Sequence, residues 1–376
     1  MYFLYIFLSI ILYILGLVVL IPLSFKSKYN QLYKKFFPFK SHKKADIHFH
    51  FASYGEARAL RDLINYYKSQ GKTVLLTTAS KTGLSEAKKI DENSFMLPFE
   101  PLLYFWLKPA DTLIVYEAEL WLSLLKIYKN NSKKTILLNA RIKKTNFKKY
   151  YRFKFFYEAI FSNFDFVLAQ GETDARRLAK LGAKNIQAFT NIKLTNKLKP
   201  SKIMNKNKEI ILIASTHDKE EEIILDKLDK DFLKDKCLII APRHPERFKE
   251  VEKLLTQRKI NFAKYSDDEN GYLDNEVFLL DTLGELVNFY SISDYVVLGG
   301  SYVPIGGHNF AEPAQFGCKI IAGKYIFSQL AMLKSLENII ISDEIDFKNV
   351  KKANIKEKYS FKTLCDILDR IIYETR

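Results

Sequence analysis

From Asp46 onward, short β-rich runs alternate with amphipathic helical stretches, and the alternation is interrupted once. Ile47–Ala52, Thr73–Thr78, Thr112–Tyr116, Thr135–Asn139 and Phe166–Ala169 carry the strand pattern, and Glu56–Ser69, Leu120–Lys129 and Glu172–Leu181 carry the helical one. Strand–helix–strand order, repeated, builds a parallel sheet with helices on both faces. The interruption, Thr195–Lys208, is polar and lysine-rich, contains Pro200, and reads as a linker. The pattern then restarts, with strands expected at Ile210–Ala214, Leu238–Ala241, Val277–Asp281, Tyr295–Leu298 and Lys319–Ala322 and helices at Lys219–Leu228, Phe248–Arg258 and Leu283–Ser291. The chain of 376 residues is long enough for two domains, expected at 46–194 and 209–376. Ligands of such sheets sit beyond the carboxyl ends of the strands, so the residues that follow each run are the candidates for chemistry.

The N-terminus has a different character. Residues 1–23 carry no charge and are almost wholly apolar. As a helix they reach about 30 Å, one hydrocarbon core. Lys26, Lys28, Lys34, Lys35, Lys40, Lys43 and Lys44 follow, with no acidic residue before Asp46, which makes 24–45 a basic juxtamembrane segment. Positive charge beside an apolar span places the body of the protein in the cytoplasm. A cleaved signal peptide would need a basic stretch before the apolar run and a small-residue cleavage site, and neither is present. An uncleaved anchor is therefore expected.

The net charge of +16 calls for an anionic partner. The lysines are spread widely and no nucleic-acid-binding signature occurs among them, which leaves an anionic membrane surface. Apolar residues at 48% and charged residues at 27% exclude a disordered chain. Cys237, Cys318 and Cys365 lie far apart, show no metal-ligand spacing and suggest no disulfide framework. No His/Cys cluster calls for a metal.

Several polar clusters fall at expected strand ends. Ser53-Tyr54-Gly55-Glu56 follows the first strand; Gly55 could supply an unusual backbone angle and Glu56 opens the next helix, either as a general base or as a carboxylate that complements the helix dipole. Thr77 to Gly83, including Thr82, follows the second, as a site for an acidic group or as plain Ser/Thr loop chemistry. Glu117-Ala118-Glu119-Leu120-Trp121 suits a sugar-binding rim or a helix start, and Asn139-Ala140-Arg141 follows the fourth strand. In the second half come Ala214-Ser215-Thr216-His217 and Pro242-Arg243-His244-Pro245-Glu246-Arg247, where Arg243 could pair bidentately with a phosphate or carboxylate. Gly299 to Ala314 links an apolar strand to a short helix expected at Ala314-Gln315-Phe316. Its glycines would let backbone N–H groups approach a phosphate, with Asn309 capping the helix and Glu312 accepting bonds from sugar hydroxyls. An ordinary glycine-rich turn closed by an Asn-x-x-Glu capping box accounts for the same residues.

Taken in order, Ser53-x-Gly55-Glu56, Glu117-x-Glu119-Leu120-Trp121, Asn139-Ala140-Arg141, Ala214-Ser215-Thr216-His217, Pro242-Arg243-His244-Pro245-Glu246-Arg247 and Gly306-Gly307-His308-Asn309-x-x-Glu312-Pro313 resemble the 3-deoxy-D-manno-oct-2-ulosonic acid (Kdo) transferases of Gram-negative lipopolysaccharide synthesis. The resemblance covers nearly the whole chain. It implies an α/β fold of the GT-B type, with two Rossmann-like domains facing a central cleft and an N-terminal membrane-anchor helix. It implies transfer of Kdo from CMP-Kdo to a lipid A precursor (lipid IVA) at the cytoplasmic side of the inner membrane, without cofactor or metal. By the same resemblance Glu56 is the catalytic base. Ser215, Thr216, Arg243, Gly306, Gly307, Asn309 and Glu312 fall on the donor side, and Ser53, Gly55, Thr82, Gly83, Glu117, Glu119 and Arg141 on the acceptor side. The chain departs from the family pattern at Leu122, where proline is frequent, at Ser80-Lys81 before Thr82, at Thr190-Asn191-Ile192-Lys193, and at Phe310-Ala311. None of these removes a proposed chemical group. The rival readings are a membrane-associated glycosyltransferase or epimerase that uses a UDP- or GDP-sugar, and a membrane-tethered binding protein without turnover.

Overall fold

The computed structural model describes residues 2–24, 33–38 and 40–373; of the expected basic cluster, Lys26 and Lys28 lie outside the described residues. The chain divides into two compact units, Met1–Asn196 with Phe361–Arg376, and Lys197–Ser360. The crossing falls inside the expected linker, but most of that stretch is not a free tether. Ser201 N–H donates to Asn288 Oδ1 (2.7 Å), and the Lys202 and Lys206 ammonium groups reach Tyr265 and Asp294.

In the first unit, α1 (Tyr2–Ser24) and α2 (Tyr33–Phe36) precede β1 (Ile47–Phe51), α3 (Tyr54–Ser69), β2 (Val74–Thr78), α4 (Lys81–Ile90), β3 (Ser94–Met96), α5 (Glu100–Trp106), β4 (Thr112–Tyr116), α6 (Leu122–Asn130), β5 (Lys134–Ala140), α7 (Lys144–Arg152), α8 (Lys154–Phe161), β6 (Phe166–Ala169), α9 (Glu172–Lys180) and β7 (Ile186–Ala188). The strands form one seven-stranded sheet in the order β3-β2-β1-β4-β5-β6-β7, parallel throughout. β1, β2 and β4 are buried along their whole length, as sequences without in–out alternation require when helices cover both faces. The strand order reverses between β1 and β4, which makes their carboxyl ends the place for a ligand.

The second unit holds β8 (Glu209–Thr216), α10 (Glu220–Lys227), α11 (Lys230–Leu233), β9 (Lys236–Pro242), α12 (Phe248–Gln257), β10 (Ala263–Lys264), β11 (Val277–Leu279), α13 (Leu286–Tyr290), β12 (Tyr295–Leu298), α14 (Ala311–Gln315), β13 (Lys319–Ala322), α15 (Leu330–Leu333), β14 (Leu336–Glu337), β15 (Ile339–Ile341) and β16 (Asn354–Ile355). Its parallel sheet runs β10-β11-β9-β8-β12-β13-β15, with the reversal between β8 and β12, and β14 pairs with β16 antiparallel. Every strand expected from the sequence is present. β3, β7, β10, β14, β15 and β16 were not foreseen, because they are strands of two or three residues at sheet edges or in the small antiparallel pair, too short to show a period.

The second domain was expected to run to residue 376, but α16 (Phe361–Tyr373) belongs to the first unit. It buries Leu364, Cys365, Ile367 and Leu368, Tyr66 donates to Asp369 Oδ2 (2.5 Å), and Lys134 caps the helix at the carbonyls of Ile371 and Ile372. An amphipathic helix needs an apolar partner, and sequence distance does not say which unit offers it.

The basic segment is also partly built in. Phe36 is buried against Phe99 with ring centroids 4.5 Å apart, His42 is 2% exposed, and the Trp106 indole donates to the Lys40 carbonyl. Lys35 donates to the Ala79 carbonyl (3.1 Å), so this cation points inward rather than toward lipid.

Candidate functional site

In the first unit, the clusters expected after β1 and β4 lie at the carboxyl ends of two adjacent strands. Ser53 caps α3, with its Oγ accepting from Glu56 N–H (3.4 Å), while Glu56 Oε2 reaches back to accept from Ala52 N–H (2.6 Å). This reciprocal arrangement is a capping box shifted by one residue, since the glutamate reaches the N–H before the cap and not that of Ser53. One Glu56 oxygen is therefore structural. Gly55 lies within α3 without a positive φ, which corrects the expected unusual backbone angle; a Cβ there would meet nothing within 4 Å. Gly83 is different. A Cβ would lie 2.9 Å from the Ala52 carbonyl and closer still to Thr78 Oγ1, so only glycine lets the first turn of α4 approach β1 and β2. Gly83→Ala is expected to destabilise the first unit by about 1–3 kcal/mol through overpacking, read as a lower melting temperature. Ser80 Oγ caps that turn at Gly83 N–H (3.1 Å), with Thr82 Oγ1 beside it (3.3 Å).

Glu117 sits at φ 55° directly after β4, and Asn139 at φ 59° near the end of β5. Such strain outside glycine persists only where surrounding contacts impose it. Asn139 Nδ2 donates to Tyr116 Oη (2.8 Å) and Glu117 Oε1 (3.1 Å), and its Oδ1 accepts from Ile192 N–H (3.1 Å). Burial, and then the negative charge of Glu56, raise the Glu117 carboxyl above the ordinary range; Lys193 and Arg141 oppose this. Glu56 and Glu117 thus share one field, with the exposed Arg141 beside it. Burial would raise Glu119 as well, but His50, Trp121 and Lys35 outweigh it and hold that carboxylate below its usual value. The Trp121 indole donates to Glu119 Oε2 (2.9 Å).

Behind Glu119 runs a chain of buried polar groups. His50 Nε2 lies 3.6 Å from Glu119 Oε2, Thr77 Oγ1 bridges His50 Nδ1 (2.8 Å) and His48 Nε2 (2.6 Å), and His48 Nδ1 meets Tyr128 Oη (2.8 Å). Burial, and then the neighbouring His50, push His48 well below its ordinary value, so it is neutral. Sequence reasoning did not foresee this network or the inward Lys35. The available signal was His-x-His within a fully buried strand, a polar pattern that demands partners.

In the second unit, the residues after β8 and β12 again face the strand-order reversal. Glu220, fully buried, accepts from four backbone N–H groups: His217 (2.9 Å), Gly300 (2.6 Å), Ser301 (2.9 Å) and Tyr302 (2.8 Å). The glycine turn at 299–302 therefore cradles an internal carboxylate. A Cβ on Gly299 would lie 2.5 Å from the Ser215 carbonyl, which fixes that glycine by close approach. The N–H groups of Gly306 and Gly307, at φ 115° and 85°, both donate to the Gly300 carbonyl (3.1 and 2.7 Å). This corrects the expectation that they face a phosphate: their role is to close the loop.

From one residue before Phe310, which holds the N-cap position of α14, Asn309 Oδ1 accepts from Ala311 N–H (3.0 Å), and its Nδ2 donates to Glu312 Oε1 (2.9 Å). Burial raises the Glu312 carboxyl, opposed by Asn309 and Arg243. Thr216 is fully buried and donates to Glu221 Oε1 (2.6 Å), and the two Glu221 oxygens receive Arg247 Nη1 and Nη2 (3.0 Å each). Thr216 and Arg247 therefore brace the site from within, and Thr216 is corrected from donor contact to support. Ser215, at φ 59°, is 6% exposed beside Tyr290. The Arg243 side chain is exposed and has no hydrogen-bond or ion-pair partner among the described residues, although its charge acts on Glu312, His217 and His308.

His217 Nε2 and His308 Nε2 are 2.8 Å apart with stacked rings, so one donates and the other must be neutral to accept. Burial, then His217 and Arg243, push His308 down to about 4. A folded value below the unfolded one means the unfolded chain binds more protons between about pH 6.5 and 4, so stability falls as pH drops through that window. Melting temperatures measured from pH 7 to pH 4 are expected to decline there, and less steeply in His308→Gln.

Among the described residues, no group of three or more His, Cys, Asp and Glu is arranged to hold a metal ion.

Residues 27–196 match the family described as 3-Deoxy-D-manno-octulosonic-acid transferase (kdotransferase). A bifunctional glycosyltransferase/methyltransferase of Fusobacterium nucleatum subsp. nucleatum is 30% identical over 320 residues, which cover 77% of this chain and 49% of that protein. The chain thus spans about half the length of that relative. The 3-deoxy-D-manno-octulosonic acid transferase of Haemophilus influenzae is 31% identical over 304 residues, covering 75% of this chain and 71% of that protein. A crystal structure of UDP-N-acetylglucosamine 2-epimerase matches the fold with a TM-score of 0.54 at 12% identity, covering 89% of this chain and 98% of that one. Two parallel α/β units with polar clusters at both strand-order reversals, together with these relationships, assign the sequence: the chain belongs to the 3-deoxy-D-manno-octulosonic acid transferase family of glycosyltransferases.

Proposed function

We propose that the protein transfers Kdo from CMP-Kdo to a hydroxyl of a lipid A precursor such as lipid IVA, at the cytoplasmic face of an anionic inner membrane that α1 holds it to. The observation that carries this reading is the Arg243 guanidinium, exposed and without a partner among the described residues, in the field of Glu312 at the carboxyl edge of the second sheet. An unpaired arginine is a bidentate receptor for a phosphate. Glu312 keeps one carboxylate oxygen beyond Asn309 for the ribose hydroxyls of the nucleotide.

In this mechanism Glu56 accepts the proton of the acceptor hydroxyl with the oxygen that Ala52 does not occupy. The hydroxyl oxygen bonds to the anomeric carbon of Kdo as the bond to the CMP phosphate breaks, in a single displacement with inversion. Arg243 meets the charge that develops on the leaving phosphate, so the step calls for no metal. Glu117, Glu119 and Arg141 border the acceptor sugar. Arg243→Ala is expected to weaken CMP binding about 10-fold or more and to leave the fold intact, because the side chain braces nothing; calorimetry with CMP checks it.

The test of the whole reading is incubation of membrane-extracted protein with freshly generated CMP-Kdo and the tetraacyl disaccharide acceptor, with product masses read with and without EDTA. One or more Kdo units added under both conditions supports it. Stabilisation by UDP or GDP but not CMP, without product, favours a UDP- or GDP-sugar enzyme instead.

A further inference from the structure

The apolar helix α1 does not stand free of the protein. Its half-buried positions are Tyr2, Tyr5, Ile6, Ser9, Tyr13, Gly16 and Leu17, a single stripe with helical spacing. That stripe holds the tyrosines, the serine and the glycine of the helix up to Val19, and it lies against the first unit. The Tyr2 ring faces the Lys126 ammonium at 5.8 Å, the Tyr5 ring packs on Phe156 at 5.7 Å, and Tyr13 Oη donates to the Phe36 carbonyl at 3.0 Å. The opposite face is hydrocarbon only, with Phe3, Phe7, Leu12 and Val18 exposed.

We infer that α1 lies along the flank of the first unit, seated in the cytoplasmic leaflet, and does not cross the bilayer. The argument is geometric. A helix of this length would carry Tyr2 about 30 Å from its other end, across a full hydrocarbon core. Yet the contacts from Tyr2 to Tyr13 hold that stretch to α6, α8 and the α2 region of the same unit. To span with those contacts kept, Lys126 and the buried carboxylate of Glu100, which Tyr5 meets through its hydroxyl, would have to enter the hydrocarbon, where charged groups are costly. Lying flat, the hydrocarbon face meets lipid while both charged residues stay with the protein.

The surroundings fit one anionic leaflet. Phe105 on α5 is 91% exposed, and Phe153 and Phe155 are exposed beside the Phe156 that Tyr5 contacts. Immediately before them, α7 has no buried residue and carries Lys144, Lys148, Lys149 and Arg152. Exposed aromatics beside a basic amphipathic helix make an interfacial surface, with the rings among acyl chains and the cations at the headgroups. The surface takes from the proposed function only that the protein is membrane-bound.

The experiment uses the full chain with a short Gly-Ser-Cys extension before Met1, expressed in a Gram-negative host, and a membrane-impermeant maleimide. The expected result is labelling in inside-out vesicles and none in intact spheroplasts. Labelling from the outside of spheroplasts, or protein absent from the membrane fraction, overturns the inference. A Tyr5→Cys/Phe156→Cys pair, oxidised in membranes, is expected to cross-link; failure to cross-link means that α1 has left the flank, and overturns it as well. Kdo transfer assayed on the same preparation is read separately, so a protein that labels as expected but makes no product sinks the enzymatic reading alone.

Discussion

Replacing Glu56 with glutamine is expected to lower Kdo transfer by about 10²- to 10⁴-fold with little change in melting temperature. The glutamine oxygen still accepts from Ala52 N–H, so the capping box that Glu56 closes with Ser53 survives. What disappears is the group that takes the proton. Glu56→Ala removes both functions and is expected to cost about 0.5–2 kcal/mol of stability besides the activity. Initial rates with donor and acceptor at saturation, beside thermal unfolding of both variants, separate the two roles. Turnover like the wild type in the glutamine variant removes Glu56 from the mechanism. The same substitution is expected to bring the Glu117 carboxyl down, because the charge of Glu56 is one of the causes that raise it.

The second large effect belongs to a residue that touches no substrate in this scheme. Glu220→Gln is expected to destabilise the second unit by about 2–6 kcal/mol, since each buried donor left without an acceptor costs about 1–3 kcal/mol. Glu220 Oε2 serves His217 and Gly300, and Oε1 serves Ser301 and Tyr302. Glutamine keeps one acceptor and turns an NH₂ toward two N–H groups. Against a total stability of about 5–15 kcal/mol, a loss of this size threatens the fold of the unit itself. Thermal unfolding and limited proteolysis read it. An unchanged melting temperature would show that the four bonds contribute nothing net. Loss of stabilisation by CMP is expected to accompany unfolding, because Arg243 and Glu312 depend on the same unit.

These two carboxylates also show how far the sequence could be read. Glu56 is visible in the sequence as a polar residue at the end of a strand run, open both to a general-base role and to a helix-start role. The structure gives the helix-start reading a definite hydrogen bond from Ala52 N–H, and the second oxygen is the one the proposed mechanism uses. Glu220 was not singled out, because a glutamate at the start of Glu220-Glu221-Glu222 looks like an ordinary acidic first turn. Three of its four partners lie about 80 residues away in the glycine turn. That turn had been read as a cradle for an external phosphate, and its N–H groups do bind an anion, one supplied by the chain itself. Thr216 went the same way, since a hydroxyl at a strand end gives no sign of whether it faces a ligand or a buried glutamate.

The sequence by itself determined what depends on neighbours within a few residues: the strand runs and their helices, the caps at Ser53 and Ser80, the local turn at Asn309, and the polar residues placed at strand ends. Period and capping are local properties, and local interactions do not change when the chain is folded around them. The tertiary structure alone decided which unit receives α16, which face of α1 meets the protein, and which donors at the two strand-order reversals are already satisfied. Those outcomes depend on pairings between residues tens to hundreds of positions apart, and a buried hydrogen-bonding group takes whichever partner the fold brings within about 3 Å of it.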